Sequence, residues 1–176
     1  CPEPVTAQPD EREITRIAEA INRARRPVIY AGGGVIISGA CRQLSEFASK
    51  TSIPVAVSLR GLSAFDHGHP LYMGLIGMHG NVSTNIAIEE TDLVICIGAR
   101  FNDRTTGNTS GFCRNARVVH VDIDASEIGK IRRSDMSLAC DASVFLEALM
   151  PLVEETDRGA WTERINELKL SHDTEN

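Results

Sequence analysis

The chain has 176 residues, 42% of them hydrophobic, and carries 18 Lys plus Arg against 24 Asp plus Glu, a formal net charge of −6. That length fits one domain able to bury about two-thirds of its unfolded surface, so it needs no staples to fold. The acidic balance disfavours a general nucleic-acid surface, which requires clustered positive charge, and no run of about eighteen apolar residues is present to span a bilayer.

The five cysteines, Cys1, Cys41, Cys96, Cys113 and Cys140, are scattered and form no C-x-x-C pair, so neither a disulfide framework nor a zinc site is suggested. A reducing cytoplasm is the expected compartment. The chain opens on Cys1 and not on Met, without a secretory pattern, and is expected to be a piece of a longer protein. Its basic residues are mostly arginines, whose planar fork of donors suits phosphate recognition by single side chains.

Residues 1–10 hold three prolines and no apolar period, and read as an interdomain linker. Asp10 and Glu13 then make a capping pair for a helix in which Ile14, Ile17, Ala18, Ile21 and Ala24 recur at helical spacing, until Pro27 stops the pattern. Residues 28–31 are a short apolar strand closed by Gly32, Gly33 and Gly34, and a second helical pattern runs through Leu44, Phe47 and Ala48. A strand over 55–59, a short one over 71–73 and a helix over 83–90 follow. Residues 93–97 are wholly apolar up to Gly98, as in a strand covered on both faces. Residues 117–123 alternate into Asp122 and Asp124; residues 137–140 lead to Asp141, which can cap a helix over 144–149 that Pro151 ends.

Six strands separated by helices, with no hairpin signal, predict an α/β fold: a three-layer, doubly wound, six-stranded parallel sheet of the Rossmann-like kind. The domain is expected over 11–157, and 158–176, with a helical pattern over 161–170, reads as a helical linker toward a further domain.

In such a sheet the ligand crevice lies outside the carboxyl ends of the strands. The residues there are Gly32-Gly33-Gly34, Ser58-Leu59-Arg60, Gly98-Ala99-Arg100, Asp122-Ile123-Asp124 and Asp141-Ala142. Bare backbone at glycine can approach a pyrophosphate, arginine can pair with it, and carboxylates can accept from ribose hydroxyls or an adenine amino group. Each piece also has a plainer reading, a tight turn for the glycines and a helix cap for the acids. Together the five ends suit a dinucleotide. Position 37 is Ile, so the G-x-G-x-x-G fingerprint fails, and Ala40 and Cys41 stand where a phosphate loop needs Lys and Ser or Thr; ordinary NAD dehydrogenases and ATPases are disfavoured. His67, His69 and His79 complete no recognisable metal spacing. Neither Asp103 and Arg104 nor Cys113 falls into a readable catalytic arrangement, so no catalytic residue and no metal ligand is assigned.

From Arg26 to Val153 the sequence resembles the central domain of acetolactate synthase (acetohydroxyacid synthase) catalytic large subunits, through RPVIYAGGGVI, RGLSAFDHGHPLYMGLIGMHG, DLVICIGARFNDR and VVHVDIDASEIGK. The resemblance implies a deoxyhypusine-synthase-like NAD/FAD-binding fold with FAD across its carboxyl edge. The implied lining is Gly32, Gly33, Gly34, Ser58, Leu59, Gly77, Met78, His79, Gly98, Ala99, Arg100, Asn102, Arg104, Asp122, Ile123, Asp141 and Ala142. Ser58 and Asn102 depart from the threonine and aspartate often found in the family, though both can hydrogen-bond.

It further implies an intact enzyme that condenses two 2-oxo acids with decarboxylation, using thiamine diphosphate and magnesium held by domains that lack a counterpart here, since no Gly-Asp-Gly occurs. Such an enzyme is expected as a homodimer or tetramer, with a regulatory small subunit among its partners, in a cytoplasm or, for a eukaryotic parent, a plastid or mitochondrion. The same domain of glyoxylate carboligase or of another thiamine-diphosphate enzyme, or a stand-alone NAD-binding module, is the alternative.

Overall fold

The computed structural model describes residues 9–102, 105 and 112–173. Asp10 caps helix α1 (Glu11–Arg23), its carboxylate accepting from the Arg12 N–H at 3.0 Å. Glu13, expected to reach back to that cap, pairs with Arg16 at 2.5 Å, an i,i+3 neighbour on the helix surface.

Six strands follow: β1 (Pro27–Ala31), β2 (Val55–Val57), β3 (Tyr72–Leu75), β4 (Leu93–Ile97), β5 (Arg117–Asp122) and β6 (Met136–Ala139). Between and after them run α2 (Gly33–Ile37), α3 (Cys41–Thr51), α4 (Val82–Glu90), α5 (Ala142–Leu149) and α6 (Gly159–His172). The sheet order is β3-β2-β1-β4-β5-β6, and every pairing is parallel. The doubly wound architecture is therefore the one the alternation of patterns predicts.

Three local differences have physical reasons. The second strand stops at Val57 because Ser58 N–H bonds Ala31 O at 2.9 Å while its carbonyl accepts from Gly61 at 2.8 Å, winding 59–61 into a 3₁₀ turn. The third strand lies over Tyr72–Leu75, starting where the Tyr72 N–H bonds His69 O at 2.9 Å. The helix α2 has no propensity to advertise it, with two glycines and β-branched residues; it forms because the Gly32 carbonyl and the β4 turn supply its first bonds.

Side chains alternate between the sheet's two faces. Ile29, Ala31, Leu93, Ile95, Ile97, Val119 and Val121 pack under α1, α3 and α5, while Val28, Tyr30, Val94, Cys96 and Val118 pack under α4 and α6. Helix α6 belongs to that second layer. Trp161, Ile165 and Leu168 are buried, Trp161 Nε1–H donates to Pro27 O at 2.9 Å, and Arg164 forks onto Glu90 at 2.7 and 3.1 Å. Just before it, buried Arg158 donates to the carbonyls of Ile21 and Ala24 at the end of α1, and of Thr51 at the end of α3.

Candidate functional site

Because the strands are all parallel, their carboxyl ends share one edge. The strand order sets six loops along it in the spatial sequence 77–79, 58–60, 32–34, 98–100, 122–124 and 141–142. Five interstrand intervals of about 4.8 Å make the row roughly 24 Å long. Residues distant in sequence are thus brought into one line, with the switch point between β1 and β4 at its centre.

At that centre the two glycine turns lock together. Gly32 N–H donates to Ile97 O at 3.0 Å, and Gly34 N–H to Gly98 O at 2.9 Å. A Cβ on Gly32 would stand 2.2 Å from Gly98 O, and one on Gly34 2.7 Å from Gly98 Cα; Gly98 itself is left-handed, with φ 56°. Of the two readings of the glycines, the tight structural turn is required by this contact. Gly33 differs, since its open side meets Arg60.

On one flank, Leu59 and Arg60 are exposed by the 3₁₀ turn. Gly77, with φ 103°, is gripped by Asn85: its N–H donates to Oδ1 and its carbonyl accepts from Nδ2, both at 2.9 Å. Met78 and His79 project from the tip, Met78 being 70% exposed. Asn81 ties the same loop down, accepting from the Leu75 N–H at 3.1 Å.

On the other flank, Ala99 is buried while Arg100 is exposed, its guanidinium 3.7 Å from Glu127. Asn102 Oδ1 accepts from the N–H and Oγ1 of Thr105, at 3.0 and 3.1 Å. Arg104 lies outside the described residues. Asp122 is buried and accepts from the Asp124 N–H at 2.9 Å, leaving Ile123 between them 55% exposed. The exposed Asp124 carboxyl is held below its ordinary range, chiefly by the hydrogen bond from the Ser126 hydroxyl at 2.6 Å. Asp141 caps α5 by accepting from Ser143 N–H at 2.8 Å, and Ala142 is buried as that helix's first residue.

Leu59, Met78, His79, Arg100, Asn102 and Ile123 therefore face outward, and Gly32, Ala99 and Ala142 form the floor beneath them. The edge offers apolar surface, guanidinium charge and backbone groups side by side. Sequence reasoning passed over Asn85, which shapes the Gly77 turn, and His120, buried on β5 with its Nε2 3.0 Å from Ala99 O. The signal for Asn85 was its spacing from Asn81, one helical turn apart. No pattern marks His120 except a polar residue inside an apolar strand.

His67 and His69, which complete no metal spacing in the sequence, are each engaged separately. His67 Nε2 bonds Leu62 O at 2.7 Å and its ring stacks on Tyr72, whereas His69 Nδ1 accepts from Leu71 N–H at 3.1 Å. Among the described residues no three His, Cys, Asp or Glu side chains converge as a metal site requires. Burial raises the thiols of Cys96 and Cys113 and lifts that of Cys140 to about 11, so none of these is a ready thiolate.

Comparison with known proteins bears on this edge. The family described as thiamine pyrophosphate enzyme, central domain, matches residues 14–149. The isozyme 1 large subunit of acetolactate synthase from Escherichia coli K12 is 43% identical over 159 residues, covering 90% of this chain and 28% of that protein. The large subunit of acetolactate synthase from Corynebacterium glutamicum is 40% identical over 166 residues, covering 92% and 26%. The crystal structure of a Mycobacterium smegmatis protein assigned to the thiamin diphosphate-dependent enzymes superposes with a TM-score of 0.72 at 28% identity, covering 85% of this chain and 29% of that one. The chain spans little more than a quarter of the length of the curated relatives. With its six-stranded parallel sheet and the match over most of its length, the chain belongs to the thiamine pyrophosphate enzyme family, as its central domain, and is closely similar there to acetolactate synthase large subunits.

Proposed function

We propose that this chain is the FAD-binding central domain of an acetolactate synthase, a transferase that joins two pyruvates, or pyruvate and 2-oxobutyrate, with loss of carbon dioxide in branched-chain amino-acid biosynthesis. The observation that carries the reading is the single edge on which Arg60 and Arg100 stand near the centre, with apolar Leu59 and Met78 to one side and Ile123 to the other, over a backbone floor. A dinucleotide has both characters, flat apolar rings at its ends and a doubly charged middle. The residues fit it: Arg60 and Arg100 would hold the diphosphate, Asp122 and Asn102 ribose or ring polar groups, and Leu59, Met78 and Ile123 the ring faces.

Thiamine diphosphate, with magnesium, supplies the carbanion chemistry in the intact enzyme. This chain's residues bind and orient FAD, and the domains beside it hold the reacting centre. A homodimeric or tetrameric parent with a regulatory small subunit, in a cytoplasm or plastid, is part of the same proposal. The relatives speak for acetolactate synthase over glyoxylate carboligase or a stand-alone NAD-binding module.

Calorimetry of the chain against FAD, ADP and NAD tests the reading. FAD and ADP should bind and NAD should not; a preference for NAD overturns it. Arg100→Ala should weaken FAD binding about tenfold, since a charge-assisted phosphate contact is lost. The same change should leave stability within about 0.5 kcal/mol, because the exposed pair with Glu127 contributes little.

A further inference from the structure

His120 is wholly buried on β5, opposite Cys96 of β4, on the face covered by α4 and α6. Its Nε2 lies 3.0 Å from the Ala99 carbonyl oxygen. That oxygen can only accept, so Nε2 carries the proton and Nδ1 carries the lone pair. Nδ1 is buried and has no hydrogen-bond partner among the described residues. The ring is further held edge-on by Phe101, with centroids 5.2 Å apart at 77°, and Phe101 in turn packs on Tyr30 and Phe112.

An orphaned buried acceptor is costly, and an apolar side chain in this strand would avoid it. Core packing alone therefore does not account for a histidine. What the ring does achieve is to draw the Ala99 carbonyl inward, helped by the Cys96 thiol, whose Sγ donates to the same oxygen at 3.2 Å. Burial keeps both partners in the form needed, by lowering the imidazole's tendency to protonate and raising the thiol's pKa.

The peptide between Ala99 and Arg100 is planar and trans, so its N–H points opposite to its carbonyl. With the carbonyl drawn into the core, planarity directs the Arg100 N–H away from that core, on a residue that is itself exposed. The Gly98 turn, left-handed and wedged against Gly34, gives the segment little room to rotate.

We infer that His120 is a positioning residue for the cofactor edge: its Nε2–H, acting through the Ala99 carbonyl, holds the Arg100 backbone N–H toward an oxygen of the bound dinucleotide. This rests on the reading of the edge as an FAD site. His120 touches no ligand itself, and its effect passes through one peptide plane.

The test compares wild type, His120→Gln and His120→Leu in the 176-residue chain. Gln can return a donor near the Nε2 position; Leu fills the core without one. His120→Leu should remain folded and bind FAD about tenfold more weakly, and His120→Gln should recover most of that loss. A structural role alone would shift melting temperature and leave the affinity of folded protein unmoved. Unchanged FAD affinity in a folded Leu variant overturns the inference while leaving the FAD reading intact, whereas wild type that binds neither FAD nor ADP overturns both. If the Leu variant does not fold, the amide resonance of Arg100 in wild type decides: it should shift on saturation with FAD, and an unmoved resonance overturns the inference.

Discussion

At the scale of single residues, the glycines divide by what surrounds them. Gly39 is left-handed with φ 71° but faces open space, so Gly39→Ala should cost only the conformational penalty, about 1 kcal/mol. Gly98 is left-handed with φ 56° and its Cβ would also meet Gly34 Cα at 2.7 Å, so Gly98→Ala should cost about 3 kcal/mol or more. Urea unfolding of the two variants checks this; equal midpoints would mean that the β1 and β4 turns are not locked together.

His120 provides a second residue-scale expectation. Burial, the largest influence, lowers its pKa from the ordinary 6.5, against the opposing pull of the Ala99 bond and of Asp122 and Glu127. The unfolded chain then binds a proton that the folded chain refuses, so this contribution to stability is present above about pH 6.5 and is lost as pH falls toward the lowered folded value. The carboxyls of Glu90 and Asp124, lowered mainly by their hydrogen bonds to Arg164 and Ser126, act in a separate and more acidic window, below their unfolded values near pH 4. A denaturation series across pH 5 to 7 should show a limb in wild type that is flattened in His120→Leu.

At the scale of elements, α6 decides whether the second face of the sheet is covered. Its Trp161, Ile165 and Leu168 are buried and its approach is fixed by Arg158, which satisfies carbonyls at the ends of two helices. Arg158→Met should lose about 2 to 4 kcal/mol, because three carbonyls each lose a buried charged donor. Chain ending at residue 157 should fare worse, exposing the faces of β1 and α4 that the helix covers. Circular dichroism melts of both would show it, and an unaltered melt of the shortened chain would mean that the helix is only a passing contact.

At the scale of the molecule, the edge spans all six strands and carries outward polar and apolar groups together. The chain spans little more than a quarter of its curated relatives, and the proposed function assigns the reaction to the domains beside it. Pyruvate with thiamine diphosphate, magnesium and this chain should therefore yield no acetolactate in a colorimetric assay, even when FAD raises the melting temperature by mass action. Turnover by the pure chain would overturn that division of labour.

What could be read from the order of residues was whatever a local pattern encodes. Apolar runs ending at Ala31, Ile97 and Asp122, helical periods beginning at Asp10 and Asp141, and the missing hairpin signals were enough for a parallel doubly wound sheet, since each depends on neighbours a few positions apart. The same runs located the strand ends along which the proposed ligand edge runs. Tertiary structure alone decided that Gly32 and Gly34 serve a backbone contact with Gly98, that Asn85 shapes the Gly77 turn, and that His120 reaches the Ala99 carbonyl. Each of those is a meeting of groups from different elements, or of a helix with the loop before it. Such distances follow from how the layers pack, and a one-dimensional pattern does not contain them.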